Sequence, residues 1–143
     1  HYDSELIDFL NYYCSGDYAD IEVELIINGD FLDFLAVPYV EYYDDEYWSE
    51  KAALEKLKMI MAAHKGVLDA MKNFLSKEGK KIVYIIGNHD AEFVFDSLKQ
   101  EFLGYFGEFS SKIILSNAIS THIPTLGVSI QHGHQYERAH DFD

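Results

Sequence analysis

Asp30, Asn88, His89, Asp90 and His132 are the side chains of this sequence best placed to do chemistry, because each sits just past an apolar run and close to a glycine. The run at 21–27 passes into Asn28-Gly29-Asp30, that at 81–86 into Gly87-Asn88-His89-Asp90, and that at 127–131 into His132-Gly133-His134. Carboxylate, amide and imidazole form a mixed oxygen and nitrogen donor set. Such a set suits borderline divalent cations such as manganese, iron, zinc or cobalt better than it suits thiolate-seeking ions. Neighbouring glycines let the backbone turn sharply and come close to a ligand. One carboxylate can bridge two cations, and two cations about 3.5–4 Å apart can clamp a phosphoryl group and generate hydroxide between them.

Each cluster also has a plainer reading. Asn28-Gly29 is a common hairpin turn, although Phe31-Leu32-Asp33-Phe34-Leu35 lacks the alternation of a returning strand. Asn88-His89-Asp90 can open a helix with Asp90 as its cap. A lone His132 is more often structural than a ligand. The three clusters occurring together, in this order and each after an apolar run, favour the chemical reading.

The elements that must position them follow from periodicity. Ser4 is placed to cap a helix whose apolar side is Leu6, Ile7, Phe9, Leu10 and Tyr13, ended by Ser15-Gly16-Asp17. The run at 21–27 alternates and then turns continuously apolar, which suits a strand buried on both faces. Residues 49–77 carry a helical pattern through Leu54, Leu57, Met61, Val67, Leu68, Met71 and Leu75. Ser49 is its N-cap, Gly79 its stop, and Gly66 marks a kink or a break into two helices. A strand at 81–86, a helix at 91–105 and strands at 112–115 and 127–131 complete the pattern. This alternation predicts a single α/β domain over residues 1–143 with a largely parallel sheet. Active sites in such sheets lie outside the carboxyl ends of the strands. Residues 34–48 are aromatic and acidic, and Pro38 argues against a long helix there. The part at 39–48 reads as a lid that stacks on a base or shelters an acyl chain, or as an aromatic loop packed on the core or another subunit.

Composition narrows the partners. The 143 residues, 48% of them hydrophobic, are enough for one core. No apolar run approaches the ~20 residues that cross a bilayer. With 11 basic against 25 acidic side chains the formal charge is -14. Counterion release therefore does not drive nucleic-acid binding here, and nucleic acid is not an expected partner. Cys14 is the sole cysteine, so no internal disulfide forms, and packing is its expected role. With no visible signal peptide, the expected location is cytoplasmic, peripheral to a membrane at most.

Gly29-Asp30-Phe31-Leu32-Asp33, then Gly87-Asn88-His89-Asp90, then His132 in His-Gly-His resemble the ordered blocks of the calcineurin-like metallophosphoesterases. The resemblance implies a layered αββα sandwich and a centre of two divalent metal ions, manganese foremost, with iron, zinc or magnesium compatible. It implies that Asp30 bridges the two ions and that Asn88 and His132 bind the second. His1, about thirty residues before Asp30, stands where the His of an opening Asp-x-His block would fall. His89 would stabilise a phosphoryl oxygen or protonate the leaving group, and Asp90 would orient His89 and favour its cationic form. Asp33 would support the site or serve a turn. By this resemblance the chain is a domain cut at both ends, without the first Asp and the final Gly-His-x-His block, since Gly133-His134 is followed by Gln135 and Tyr136.

Phe34-Leu35 and Asp90 depart from the serine/threonine protein phosphatase pattern and look more like the bacterial branch that includes UDP-2,3-diacylglucosamine pyrophosphatases. The implied partner is a phosphorylated small molecule, nucleotide-linked in that branch. The implied reaction is hydrolysis of a phosphodiester, pyrophosphate or phosphomonoester by a metal-bridged hydroxide. Two other readings stay open: a non-catalytic metal-binding or interaction module that keeps the fold, and a metal-dependent nuclease, against which the net charge argues.

Overall fold

The computed structural model describes residues 2–38, 49–118 and 120–136. The segment at 39–48 and His1 lie outside the described residues, as does the end from 137.

Three strands form a parallel sheet in the order β1 (Val23–Asn28), β2 (Lys80–Ile85) and β3 (Ile113–Ser116). Alternation of side chains gives this sheet two faces. On one face Val23, Leu25 and Ile27 line up with Ile82, Tyr84, Ile113 and Leu115 and join the main core. Four helices bury their apolar sides in that same core. Leu10 comes from α1 (Asp3–Tyr12), Leu57 and Ile60 from α2 (Glu50–Ala63), and Leu68, Met71 and Phe74 from α3 (Lys65–Ser76). Leu98, Phe102 and Phe106 come from α4 (Asp96–Phe106). The other face carries Ile26, Val83, Ile85 and Ile114, which lie outside that cluster, and the cross-strand ion pair Lys81–Glu24 at 2.5 Å. The central strand β2 is buried from Ile82 to Ile85.

Several local expectations need correction. Ser4 does not cap α1: its hydroxyl bonds Glu5, and the helix starts at Asp3 without a side-chain cap. Ser49 does cap α2, accepting the amide of Ala52 at 3.2 Å. The break in the long helical pattern falls at His64, two positions before Gly66. Gly66 lies within α3, where Ile7 of α1 packs 3.4 Å from the place a Cβ would take. The helix expected at 91–105 begins with a 3-10 turn, Ala91–Val94, and becomes α-helical only after an extended Phe95. That turn sends Phe93 inward, edge-on to Tyr84 and Phe102 at 5.6 and 5.4 Å.

The largest correction concerns the last strand. β5 (Val128–Gln131) pairs with β4 (Ser120–Ile123) in a separate antiparallel ribbon, not in the parallel sheet. It is exposed or half-buried along its length, and β1 is an edge strand, so among the described residues only β2 is a strand buried on both faces. The apolar residues at 127–131 gave no sign of this, because a ribbon and a buried strand share β-branched composition.

Candidate metal centre

The register of the sheet brings two of the three clusters side by side. Asn28 of β1 is level with Ile85 of β2, so the chain leaves both strands at the same height. After Asn28 two residues adopt left-handed backbone, Gly29 at φ 77° and Asp30 at φ 54°. Glycine takes this conformation without steric cost, and Asp is among the few other residues that tolerate it. The double reversal turns the Asp30 carboxylate towards the end of β2. There Oδ1 accepts the amide of His89 at 2.9 Å.

The third cluster arrives from the ribbon. Asn28 Nδ2 donates to Gln131 O at 3.0 Å, which ties the end of β5 to the end of β1. His132 follows directly and inserts between the two loops. Its Nε2 lies 3.0 Å from Asn88 Oδ1 and 3.2 Å from Asp30 Oδ2. Its Nδ1 lies 2.7 Å from the carbonyl oxygen of Asn28. A carbonyl only accepts, so Nδ1 carries a proton and donates it. In neutral imidazole the lone pair then belongs to Nε2, which faces two oxygens. Backbone anchoring of one ring nitrogen with the other turned to an ion is the usual arrangement of a metal-ligating histidine.

Glycine clears the space for this convergence. A Cβ on Gly87 would meet Asp30 Oδ1 inside contact distance and lie 2.9 Å from His132 Nε2, and one on Gly29 would strike the His132 ring. Donor separations of 3.0 and 3.2 Å are those of neighbouring ligand atoms on a single divalent cation. The donor set, one carboxylate, one amide oxygen and one imidazole, therefore fits one ion. Among the described residues no group of three or more His, Cys, Asp and Glu side chains is poised to hold a metal. The convergence needs the Asn88 amide to reach three donors. The expected ligand His1 lies outside the described residues. His134 places its ring 5.3 Å from that of His132.

His89 sits beside this point, 39% exposed, with Nδ1 3.1 Å from Asp33 Oδ1. The bond to Asp33 raises the imidazole pKa above its ordinary value; burial opposes this, and the charges of Asp30, Asp33 and Asp90 add to the rise. Asp33 Oδ1 also accepts the amides of Leu35 and Ala36 at 3.1 and 3.2 Å, so it both builds the turn and orients His89. Asp90 does not orient the His89 ring as expected, although its charge adds the smallest part of the rise. It is fully buried and accepts the amides of Gly87 and Phe31 and the hydroxyl of Tyr84. The reason is positional: Asp90 turns back under the loop towards β2, whereas the loop after Asp30 carries Asp33 past the His89 ring. A cavity of about 270 Å³ adjoins Asp30, lined also by Leu6, Phe31, Met61, His64 and Leu68.

Comparison with protein-family models, with curated proteins and with solved structures returned no match for this chain. Among the described residues no helix is long and apolar enough to cross a membrane.

Proposed function

We propose that this protein is a metal-dependent phosphoesterase of the calcineurin-like type, acting on a phosphodiester or pyrophosphate bond of a small molecule. The observation that carries the reading is the His132 ring, anchored through Nδ1 on Asn28 O with Nε2 directed at Asp30 and Asn88. Asp30, Asn88 and His132 would hold one divalent cation, and the bridging role of Asp30 calls for a second, manganese being the leading candidate for both. When bound, the ions would polarise the phosphoryl group and supply the nucleophile. Asp33 keeps a proton on His89 to higher pH than an isolated imidazole would, and His89 would pass it to the leaving oxygen. The finer fold belongs to the same proposal: the parallel sheet with helices packed on one face would be one half of a layered αββα sandwich.

A second reading has its own support. Among the described residues the approach of Asp30, Asn88 and His132 offers donors for a single ion, as a non-catalytic metal-binding module would. Calorimetric titration with Mn²⁺, alongside hydrolysis of bis-p-nitrophenyl phosphate, separates the two. The enzyme reading expects two ions per chain and turnover that disappears in Asp30→Asn, a substitution that tolerates the left-handed backbone at that position. Full metal-dependent turnover in Asp30→Asn would refute the assignment, and one bound ion without turnover would favour the module.

A further inference from the structure

Tyr84 lies in the buried middle of β2 with Phe31, Phe93 and Phe102 edge-on around its ring, at 5.8, 5.6 and 6.0 Å between centroids. A phenol in such a setting needs a partner for its hydroxyl. Asp90 provides one, accepting from Tyr84 Oη at 2.5 Å on Oδ2. Burial, and after it the Asp90 charge, push the Tyr84 phenol far above its ordinary range, so it stays the donor. The same carboxylate accepts Phe31 N at 3.1 Å and Gly87 N at 2.5 Å. Phe31 directly follows Asp30, and Gly87 directly precedes Asn88. One buried anion thus ties together the two loops that present these donors to His132. The register between β1 and β2 ends at Asn28 and Ile85; beyond it Ile86 N still donates to Ser116 O, and the two loops are also joined by Phe34 N to His89 O and by His89 N to Asp30 Oδ1.

We propose that Tyr84 is a positioning residue: its hydroxyl holds Asp90 where it binds both loop amides, and so fixes Asp30 and Asn88 opposite His132. The functional consequence rests on the metal-centre reading above; the geometric claim does not. Tyr84→Phe keeps the ring and its aromatic contacts while removing the hydroxyl. Asp90→Asn, and the double variant, complete a cycle that isolates the coupling between the two groups.

The test has two arms. Amide hydrogen exchange is followed by NMR in metal-free protein, and Mn²⁺ affinity is measured by calorimetry. Loss of a hydrogen bond to a charged group predicts that Tyr84→Phe exchanges the Phe31 and Gly87 amides about tenfold faster, with the interior amides of β2 unchanged. It predicts an Mn²⁺ Kd raised about tenfold, and a double variant no weaker than Asp90→Asn alone. Unchanged exchange at Phe31 and Gly87, uniform acceleration along β2, or losses that multiply in the double variant would each overturn the proposal. If the unaltered protein binds no Mn²⁺, the metal-centre reading fails, and the exchange pattern decides by itself whether Tyr84 holds the two loops. Asp90→Asn must speed the same two amides, which keeps the claim open to refutation should Tyr84→Phe not fold.

Discussion

The imidazole of His89 donates through Nδ1 to a carboxylate that is itself pinned by two backbone amides, so ring and partner share one fixed geometry. The Asp33 bond raises the His89 pKa above its ordinary value of 6.5. A raised folded-state pKa means that the pair's contribution to stability is fully present below about pH 6.5 and fades as pH rises through the raised value. Asp33→Asn removes the anion and keeps the shape of the side chain. We expect the NMR titration of the His89 ring to move to lower pH in Asp33→Asn, with the alkaline limb of any phosphoesterase pH profile moving the same way. An unshifted titration would show that Asp33 serves only the turn. Sequence alone left Asp33 between these duties and assigned the orienting carboxylate to Asp90, next to His89 in the chain. The turn at His89 and Asp90 aims the Asp90 carboxylate back at Gly87, Phe31 and Tyr84, whereas the chain after Asp30 brings Asp33 to the His89 ring; Asp30 takes left-handed backbone there, which composition does not announce.

At the scale of elements, the site depends on how closely two strand ends approach. Gly87 is where a side chain would intrude, since a Cβ there meets Asp30 Oδ1, lies 2.7 Å from Asp30 N and crowds His132. Gly104 is the contrast: it sits within α4 with nothing within 4 Å of its Cβ position. Gly87→Ala should lower stability by about 1–3 kcal/mol through overpacking and weaken Mn²⁺ binding. Gly104→Ala should raise stability by about 0.5–1 kcal/mol by favouring the helix. Urea denaturation of both variants, read with the metal titration, checks the pair; equal responses would mean that the approach at Gly87 is loose. The strands β1 and β2 and their polar ends were legible because apolar runs closed by glycine have few other uses, and β3 was legible from its short apolar run alone. The ribbon of β4 and β5 was not, because Ser120–Ile123 has no apolar alternation to betray it and β5 gains its place by docking Gln131 on Asn28. The sequence set Asp30, Asn88 and His132 each past an apolar run, and the three side chains lie together, but one of them follows a half-exposed ribbon and not a strand of the parallel sheet.

For the whole molecule, the formal charge of -14 opposes compaction, and the candidate centre adds an anion-rich point to an already acidic chain. Two effects of added salt should then be separable. Monovalent salt screens exposed carboxylates beyond a Debye length of ~10 Å at 0.1 M and should raise the melting temperature gradually. Mn²⁺ at matched ionic strength should add a further, saturable rise, because an ion bound only by the folded chain stabilises it by mass action, about 2.7 kcal/mol at a hundred times its Kd. The rise should amount to several degrees for a domain of this size. The saturable part requires Asp30, Asn88 and His132 in their folded positions, so Asp30→Asn and His132→Ala should lose it and keep the response to sodium chloride. Thermal melts of the three proteins in NaCl and in MnCl₂ distinguish a built site from diffuse cation attraction. Equal responses to Mn²⁺ in all three would mean that the ion is drawn only by the net charge.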